Sequence, residues 1–311
     1  MEKILITGGA GYIGSKLCTQ LVNLGYNVTV IDNLKFDRKS LSHLFIQENF
    51  KLIVGDALDE KLIKKEIKKN DIIIPLAALV GAPLCNQNKN LAKKINQDAI
   101  KLIVKNKKSK QKIIFLTTNS GYGIGDKNKF CTEKSELRPI SLYGVTKNNA
   151  EKFISSSNNF ICFRLATVFG YSYRMRTDLL VNNFTFNALK KNRLLLYEEN
   201  FRRNFIHICD VVNAIIFSIR NFKKMKNNIF NLGLSSANIT KFDLAKKIKK
   251  EIKYLKILKL KNKKDPDKRD YFVSNKKIEK YGFTPKITLA RGIKELIKVF
   301  NIEKRDYKNN Y

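Results

Sequence analysis

The chain is poor in proline, with 5 in 311 residues, and poor in acid, with 27 Asp and Glu against 61 Lys and Arg. Little proline together with 43% apolar residues excludes a proline-rich disordered chain. What remains is a globular protein long enough for one large domain or one and a half. The five cysteines, Cys18, Cys85, Cys131, Cys162 and Cys209, are odd in number and far apart, and none forms a CxxC with a matching second pair. That excludes a disulfide scaffold and a zinc-ribbon spacing, and fits free thiols in a reducing compartment. No metal site is expected. The longest apolar run, residues 72–84, is too short to span a bilayer and is broken by Pro75. Met1-Glu2-Lys3 leads at once into Ile4-Leu5-Ile6, with no room for a leader, so a cytoplasmic location without a membrane partner is expected.

The shortage of acid leaves a formal charge of +34, which first suggests nucleic acid or an acidic membrane surface. The lysines, however, are spread along the whole chain in company with Asn and Ile. No zinc-finger spacing, aromatic RNA-binding strand or arginine run accompanies them. Compositional drift explains such a pattern without a nucleic-acid partner. The same field would suit an anionic small molecule.

Short, continuously apolar runs at residues 3–7, 27–31, 51–54, 71–74, 112–116 and 160–165 alternate with helical segments. Strands apolar on both faces and separated by helices predict an α/β fold with a doubly wound parallel sheet. An amphipathic helix is predicted over 90–105 and another over 141–155. Beyond residue 170 the pattern predicts helices at 177–190, 210–221, 240–250, 274–281 and 289–300, with strands at 194–197 and 228–232. The reading divides the chain into residues 1–168 and a smaller α+β part, 169–311, from which 204–235 returns to the first.

The first strand runs into Thr7-Gly8-Gly9-Ala10-Gly11-Tyr12-Ile13-Gly14 and then an apolar helix. Gly8 serves a tight turn, Gly11 a close approach to pyrophosphate and Gly14 helix packing, while the helix N-terminus offers free N–H groups. The second strand ends in Asp32-Asn33, where a carboxylate accepts from ribose hydroxyls and repels a 2′-phosphate, so NAD is the expected cofactor. Asp56-Ala57 ends the third strand; Asp56 would meet the adenine amine or cap the next helix. Leu76-Ala77-Ala78 ends the fourth with small residues that suit the passage of a cofactor.

The fifth strand opens into Thr117-Thr118-Asn119-Ser120, a hydroxyl-rich loop without an acid, and Tyr143 and Lys147 follow four residues apart, on one helix face. An ammonium near a phenol favours the phenolate, which can then take a hydroxyl proton. Taken in this order, the glycine loop, Asp32, Thr118, Tyr143-Gly144-Val145-Thr146-Lys147 and Arg203-Asn204-Phe205-Ile206-His207 resemble the extended short-chain dehydrogenase/reductases, the NAD-dependent epimerase/dehydratase superfamily of sugar-nucleotide enzymes. The resemblance implies a Rossmann-type NAD domain and a homodimer joined through the helices at 90–105 and 141–155. It also implies Tyr143 as base, Lys147 on the nicotinamide ribose with Tyr143 in its field, and Thr118 on the sugar C4 hydroxyl. The nucleotide would lie on Arg203 and its diphosphate near Asn183.

Members that eliminate water carry Asp-Glu where this chain has Asn119-Ser120, and GDP-mannose 3,5-epimerases carry a thiol at the second position. Oxidation or reduction at one carbinol carbon remains. The segments PLAALVGAPLC, NSGYGIG, RMRTDLLVNNF, LGLSSAN and DPDKRDY are further similar to the GDP-manno-heptose 4-dehydrogenases of bacterial capsular heptose pathways, which favours a GDP-sugar substrate. A nucleotide-sugar 4-epimerase would use the same residues, and a non-catalytic NAD-binding protein is the remaining alternative. Arg174 and Arg176 could supply charge-assisted bonds to the substrate or simply begin the helix at Thr177. His207, after a strand-like run, reads as a buried structural histidine, and Cys131 as a loop residue.

Overall fold

The computed structural model describes residues 1–126, 129–260, 269–303 and 307. The first half alternates strand and helix: β1 (Lys3–Thr7), α1 (Tyr12–Asn23), β2 (Asn27–Asp32), β3 (Phe50–Val54), α2 (Glu60–Ile67), β4 (Ile72–Pro75), α3 (Ala82–Gln87), α4 (Lys89–Lys93), α5 (Ala99–Asn106), β5 (Lys112–Thr118), β6 (Phe130–Cys131), α6 (Leu142–Ser155) and β7 (Phe160–Leu165). There follow β8 (Thr167–Phe169), α7 (Leu180–Lys191), β9 (Arg193–Leu196), β10 (Arg202–His207), α8 (Ile208–Arg220), α9 (Phe222–Met225), β11 (Asn228–Leu232), β12 (Asn238–Thr240), α10 (Lys241–Glu251), β13 (Lys256–Lys259), β14 (Phe272–Val273), α11 (Lys276–Lys280) and α12 (Leu289–Ile302).

Seven strands form one sheet in the order β11-β7-β5-β4-β1-β2-β3, and every pairing is parallel. Successive side chains point to opposite faces, so each face has its own core. Ile4, Ile6, Ile74 and Ile114 pack with α1 and α8; Leu5, Ile73 and Phe115 pack with α2, α5 and α6. Burial on both faces is why these strands read as unbroken apolar runs. The strand order reverses between β1 and β4, which opens a crevice at their C-terminal ends.

β8, β10 and β12 make a separate three-stranded sheet, and only Ala166, its N–H donating to Leu232 O at 2.9 Å, lies between β7 and β8. A third core gathers Phe205, Val181, Leu244, Ile293 and Leu296 beneath α7, α10 and α12. Among the described residues no helix is long and apolar enough to cross a membrane, and no three His, Cys, Asp or Glu side chains cluster as metal ligands.

Several expectations need correction. The helix expected from Thr177 begins at Leu180, because the Asp178 carboxylate that could cap it is held by Arg176 and Leu179 at the N-cap offers no side chain. The helix expected over 90–105 is interrupted by a π turn at Lys94–Asp98. Cys131 lies in β6, buried, rather than in a loop. The short strands β6, β8, β12, β13 and β14 were not foreseen. Of DPDKRDY, residues 265–268 lie outside the described ones.

Candidate active site

β1 delivers the chain to Gly8 with φ +74°, and a Cβ there would stand 2.5 Å from the Ala77 amide nitrogen. Only glycine lets this turn lie against the end of β4, where Leu76 N–H donates to Thr7 O at 2.8 Å and Ala77 and Ala78 continue along the crevice. At Gly14 a Cβ would come within 2.6 Å of the Gly8 and Gly9 carbonyl oxygens, so the close seat of α1 on the loop requires its absence. Gly11 is the N-cap, and no side chain caps the helix; its first N–H groups are available to an anion. Tyr12 turns away, donating its hydroxyl to Gly170 O at 2.7 Å, and Ile13 packs between two cores.

Asp32, at the tip of β2, is fixed by two backbone donors, Ala10 N–H at 2.9 Å and Leu34 N–H at 2.8 Å. Burial pushes its carboxyl above the usual range, and those two bonds pull it back. Asn33 is exposed and accepts from Lys35 N–H at 3.2 Å. Asp56 does not cap α2. It accepts from Leu58 N–H in an Asx turn beside Ala57, while Asp59 takes the N-cap by accepting from Leu62 N–H at 3.0 Å.

β5 carries the hydroxyl-rich loop to the crevice beside these glycines. Thr117 Oγ1 and both polar side-chain atoms of Asn119 are buried with no hydrogen-bond partner among the described residues. Such orphaned groups need an explanation, and a bound ligand supplies one. Thr118 Oγ1 donates to Ser120 Oγ at 2.8 Å and accepts from Ser120 N–H at 3.1 Å. Ser141 caps α6 by accepting from Gly144 N–H at 3.2 Å, which sets Tyr143 in the first turn, within the influence of the Thr118 hydroxyl.

Burial pushes the Tyr143 phenol up to about 12 and Cys85 adds to the rise, while Arg269, Arg176 and the Thr118 bond work against it. Lys147, one turn along α6 and 5% exposed, stacks its ammonium 4.2 Å from the Phe115 ring. Burial brings it down to about 8 against the support of Cys162, Glu151 and Cys85. The leading cations acting on Tyr143 are Arg269 and Arg176. Arg269 reaches the loop itself, donating through Nη1 to Ser120 Oγ. Spacing missed it, although DPDKRDY had drawn notice as a segment. Cys85, from α3, was missed as well; its thiol donates to Leu79 O at 3.2 Å and is pushed up to about 11 by burial, so it is neutral.

Asn96, within the π turn, locks this corner. Its side chain exchanges two bonds with the Leu79 backbone at 2.8 and 2.9 Å and donates to Thr146 Oγ1 at 3.3 Å, joining the end of β4 to α6. Extra turns of this kind often mark functional positions in helices.

Of the six residues expected on the substrate, Asn119 and Ser120 lie on the loop after β5 and the other four are dispersed. Arg176 is in a buried ion pair with Asp178. Arg174 leans instead toward the glycine loop: its N–H donates to Ser15 Oγ at 3.4 Å and its guanidinium stacks 5.1 Å from the Phe36 ring with Nη2 unpartnered. Burial and Arg176 bring that group down to about 10. Arg203 is buried 5.8 Å from the Tyr271 ring and donates to Arg202 O at 2.9 Å. Asn183 accepts from Asn187 Nδ2 at 3.0 Å on the wall of a cavity of about 250 Å³ shared with Tyr197 and Lys241. His207 is buried as expected, its Nε2 2.7 Å from a Glu295 carboxylate oxygen.

Residues 4–233 match the family model described as the NAD dependent epimerase/dehydratase family. The chain belongs to that family. It is 25% identical to a Methanocaldococcus jannaschii protein provisionally named UDP-glucose 4-epimerase, over 94% of this chain and 97% of the relative. Human dTDP-D-glucose 4,6-dehydratase is 25% identical over 99% and 92%. In fold it is similar to UDP-glucuronic acid 4-epimerase from Bacillus cereus, solved with UDP-glucuronic acid and NAD, at a TM-score of 0.85, 23% identity, and coverage of 96% and 99%. Membership makes the protein an enzyme of the extended short-chain dehydrogenase/reductase type, NAD dependent and of the nucleotide-sugar class. The residues present suit the dinucleotide: an uncapped helix N-terminus, a glycine cradle that a Cβ would fill, and an acid at the end of β2.

Proposed function

We propose that the protein oxidises C4 of a nucleotide-linked sugar, with Tyr143 as general base. The carrying observation is Tyr143 on α6 within the influence of Thr118, whose loop continues into Asn119-Ser120, a constellation of hydroxyls and an amide without an acid. NAD, when bound, supplies the hydride acceptor. It would rest on the glycine loop, on Asp32 and Asn33 at the ribose, on Asp56-Ala57 at the adenine, and on residues 76–78 and Thr117 along the crevice. Tyr143 Oη takes the C4 hydroxyl proton, Thr118 holds that oxygen in line, and Lys147 holds the nicotinamide ribose. Elimination of water would need a group to protonate the leaving hydroxide, and neither Asn119 nor Ser120 is an acid near neutral pH. Arg203 serves the nucleotide of the substrate and Asn183 its diphosphate.

The narrower similarity favours GDP-manno-heptose as substrate. Enzyme given that compound, NAD and an NADH-oxidising system should release the 4-keto sugar, detectable by mass spectrometry in heavy-oxygen water through exchange of its carbonyl oxygen. No 4-keto product would sink this substrate assignment. A second reading, a 4-epimerase, is supported by the similarity to the Methanocaldococcus protein. It predicts a C4 epimer from the sugar nucleotide with NAD and no external oxidant. The same reading includes a nucleotide-binding part over 169–311, a cytoplasmic site of action and a homodimer through α5 and α6, the last tested by light scattering after size exclusion.

A further inference from the structure

Arg269 lies in the DPDKRDY segment, where sequence reasoning assigned it no role, yet its side chain reaches the loop that carries Thr118. Its placement comes from the backbone beside it. Asp270 pairs with the loop that follows β5: Gly125 N–H donates to Asp270 O at 2.8 Å, and Asp270 N–H donates to Gly123 O at 3.3 Å. The Asp270 carboxylate accepts from Arg202 N–H at 2.7 Å and from its Nε at 2.9 Å, and Tyr271 packs edge-on against the buried Tyr122 ring at 6.2 Å. A segment held at three points in succession fixes where its neighbour's guanidinium can lie, and that place is Ser120 Oγ.

Ser120 Oγ thus accepts from both Arg269 and Thr118. The Thr118 proton is committed to Ser120 and one lone pair to the Ser120 N–H, which leaves the other lone pair for a substrate hydroxyl. The groups facing Tyr143 are Thr118 from β5, Cys85 from α3, Lys147 on its own helix, Arg176 with its partner Asp178 from the segment before α7, and Arg269. Cys85 and Lys147 lie on the neutral-to-cationic side at working pH, and Asp178 answers Arg176.

We propose that Arg269 is a positioning residue of the active site, a fixed cation that through Ser120 orients Thr118 toward the substrate hydroxyl and through its charge favours the ionised form of Tyr143. This rests on the reading of Tyr143 as base.

The test is made on full-length enzyme saturated with NAD and labelled with a polyfluorinated tyrosine, whose ring acidity brings phenol ionisation into an accessible pH range. The fluorine resonance of Tyr143 is assigned by its loss in Tyr143→Phe. Arg269→Gln should raise the ionisation midpoint of that resonance by about one pH unit, and the acid limb of the kcat profile should move with it, leaving about tenfold less turnover at pH 7. Arg269→Lys, which keeps the charge, should restore most of the midpoint. A folded Arg269→Gln whose midpoint is unmoved overturns the proposal, even if turnover falls at every pH. Should that variant fail to fold, Ser120→Ala, which removes the anchor, must raise the midpoint, and an unmoved one is equally fatal. Retained turnover in Tyr143→Phe would instead remove the base assignment on which the proposal rests.

Discussion

Tyr143 as it stands is scarcely ionised near neutral pH, since burial holds its phenol near 12 and Cys85 adds to the rise. Catalysis at neutral pH has to come from the positive charge gathered around it, which makes the residue sensitive to its neighbours. Tyr143→Phe should lower kcat by about 10²–10⁴-fold, the usual range for a positioned base, and leave the affinity for NAD within about twofold by calorimetry. A variant that keeps turnover would place the base elsewhere. At this scale the sequence carried the glycine loop, Asp32, Thr118 and the Tyr143/Lys147 pair, because each depends on near neighbours along one element. Arg269 and Cys85 were invisible, because their approach to Tyr143 is set by tertiary packing between distant segments. Arg176, open in the sequence between a substrate contact and the start of a helix, is held by Asp178, two residues on.

At the scale of elements, β10 ends on His207 and α12 presents Glu295 to it, so one buried pair ties the C-terminal helix to the second sheet. Burial alone would lower the His207 pKa, but its bonds with Cys209 and Glu295 outweigh that and lift it to about 9, while His207 holds the Glu295 carboxyl below its usual range. A raised histidine contributes fully below its unfolded value of about 6.5, and the contribution is lost as pH rises through about 9. A depressed carboxylate contributes above its unfolded value of about 4.5, and this is lost as pH falls through its lower folded value. The gap in Tm between wild type and His207→Gln should therefore be widest between about pH 4.5 and 6.5 and should close toward pH 10; curves that stay parallel across that range would contradict the tie.

Long elements were legible because period and burial agree: the strand expected at 160–165 is β7 to the residue, and Thr240 caps α10. The π turn was not. It shifts one residue within a pattern that stays amphipathic, and Asn96 betrays its inward aim only through partners on other segments. The three-residue strands have too few side chains to show a period at all.

For the molecule as a whole, 61 basic against 27 acidic residues in one compact fold means self-repulsion. Added salt, which shortens the screening length to about 8 Å at physiological strength, should raise Tm while lowering kcat/KM for an anionic sugar nucleotide. A Tm that falls between low and physiological salt would show that local ion pairs outweigh the net charge. The sheet topology carries a different consequence. Because a single residue, Ala166, joins the large sheet to the small one and is itself bonded to the end of β11, the two sheets are geared rather than hinged at that point. A shift of the second sheet therefore bears directly on β7, the neighbour of the strand that carries Thr118.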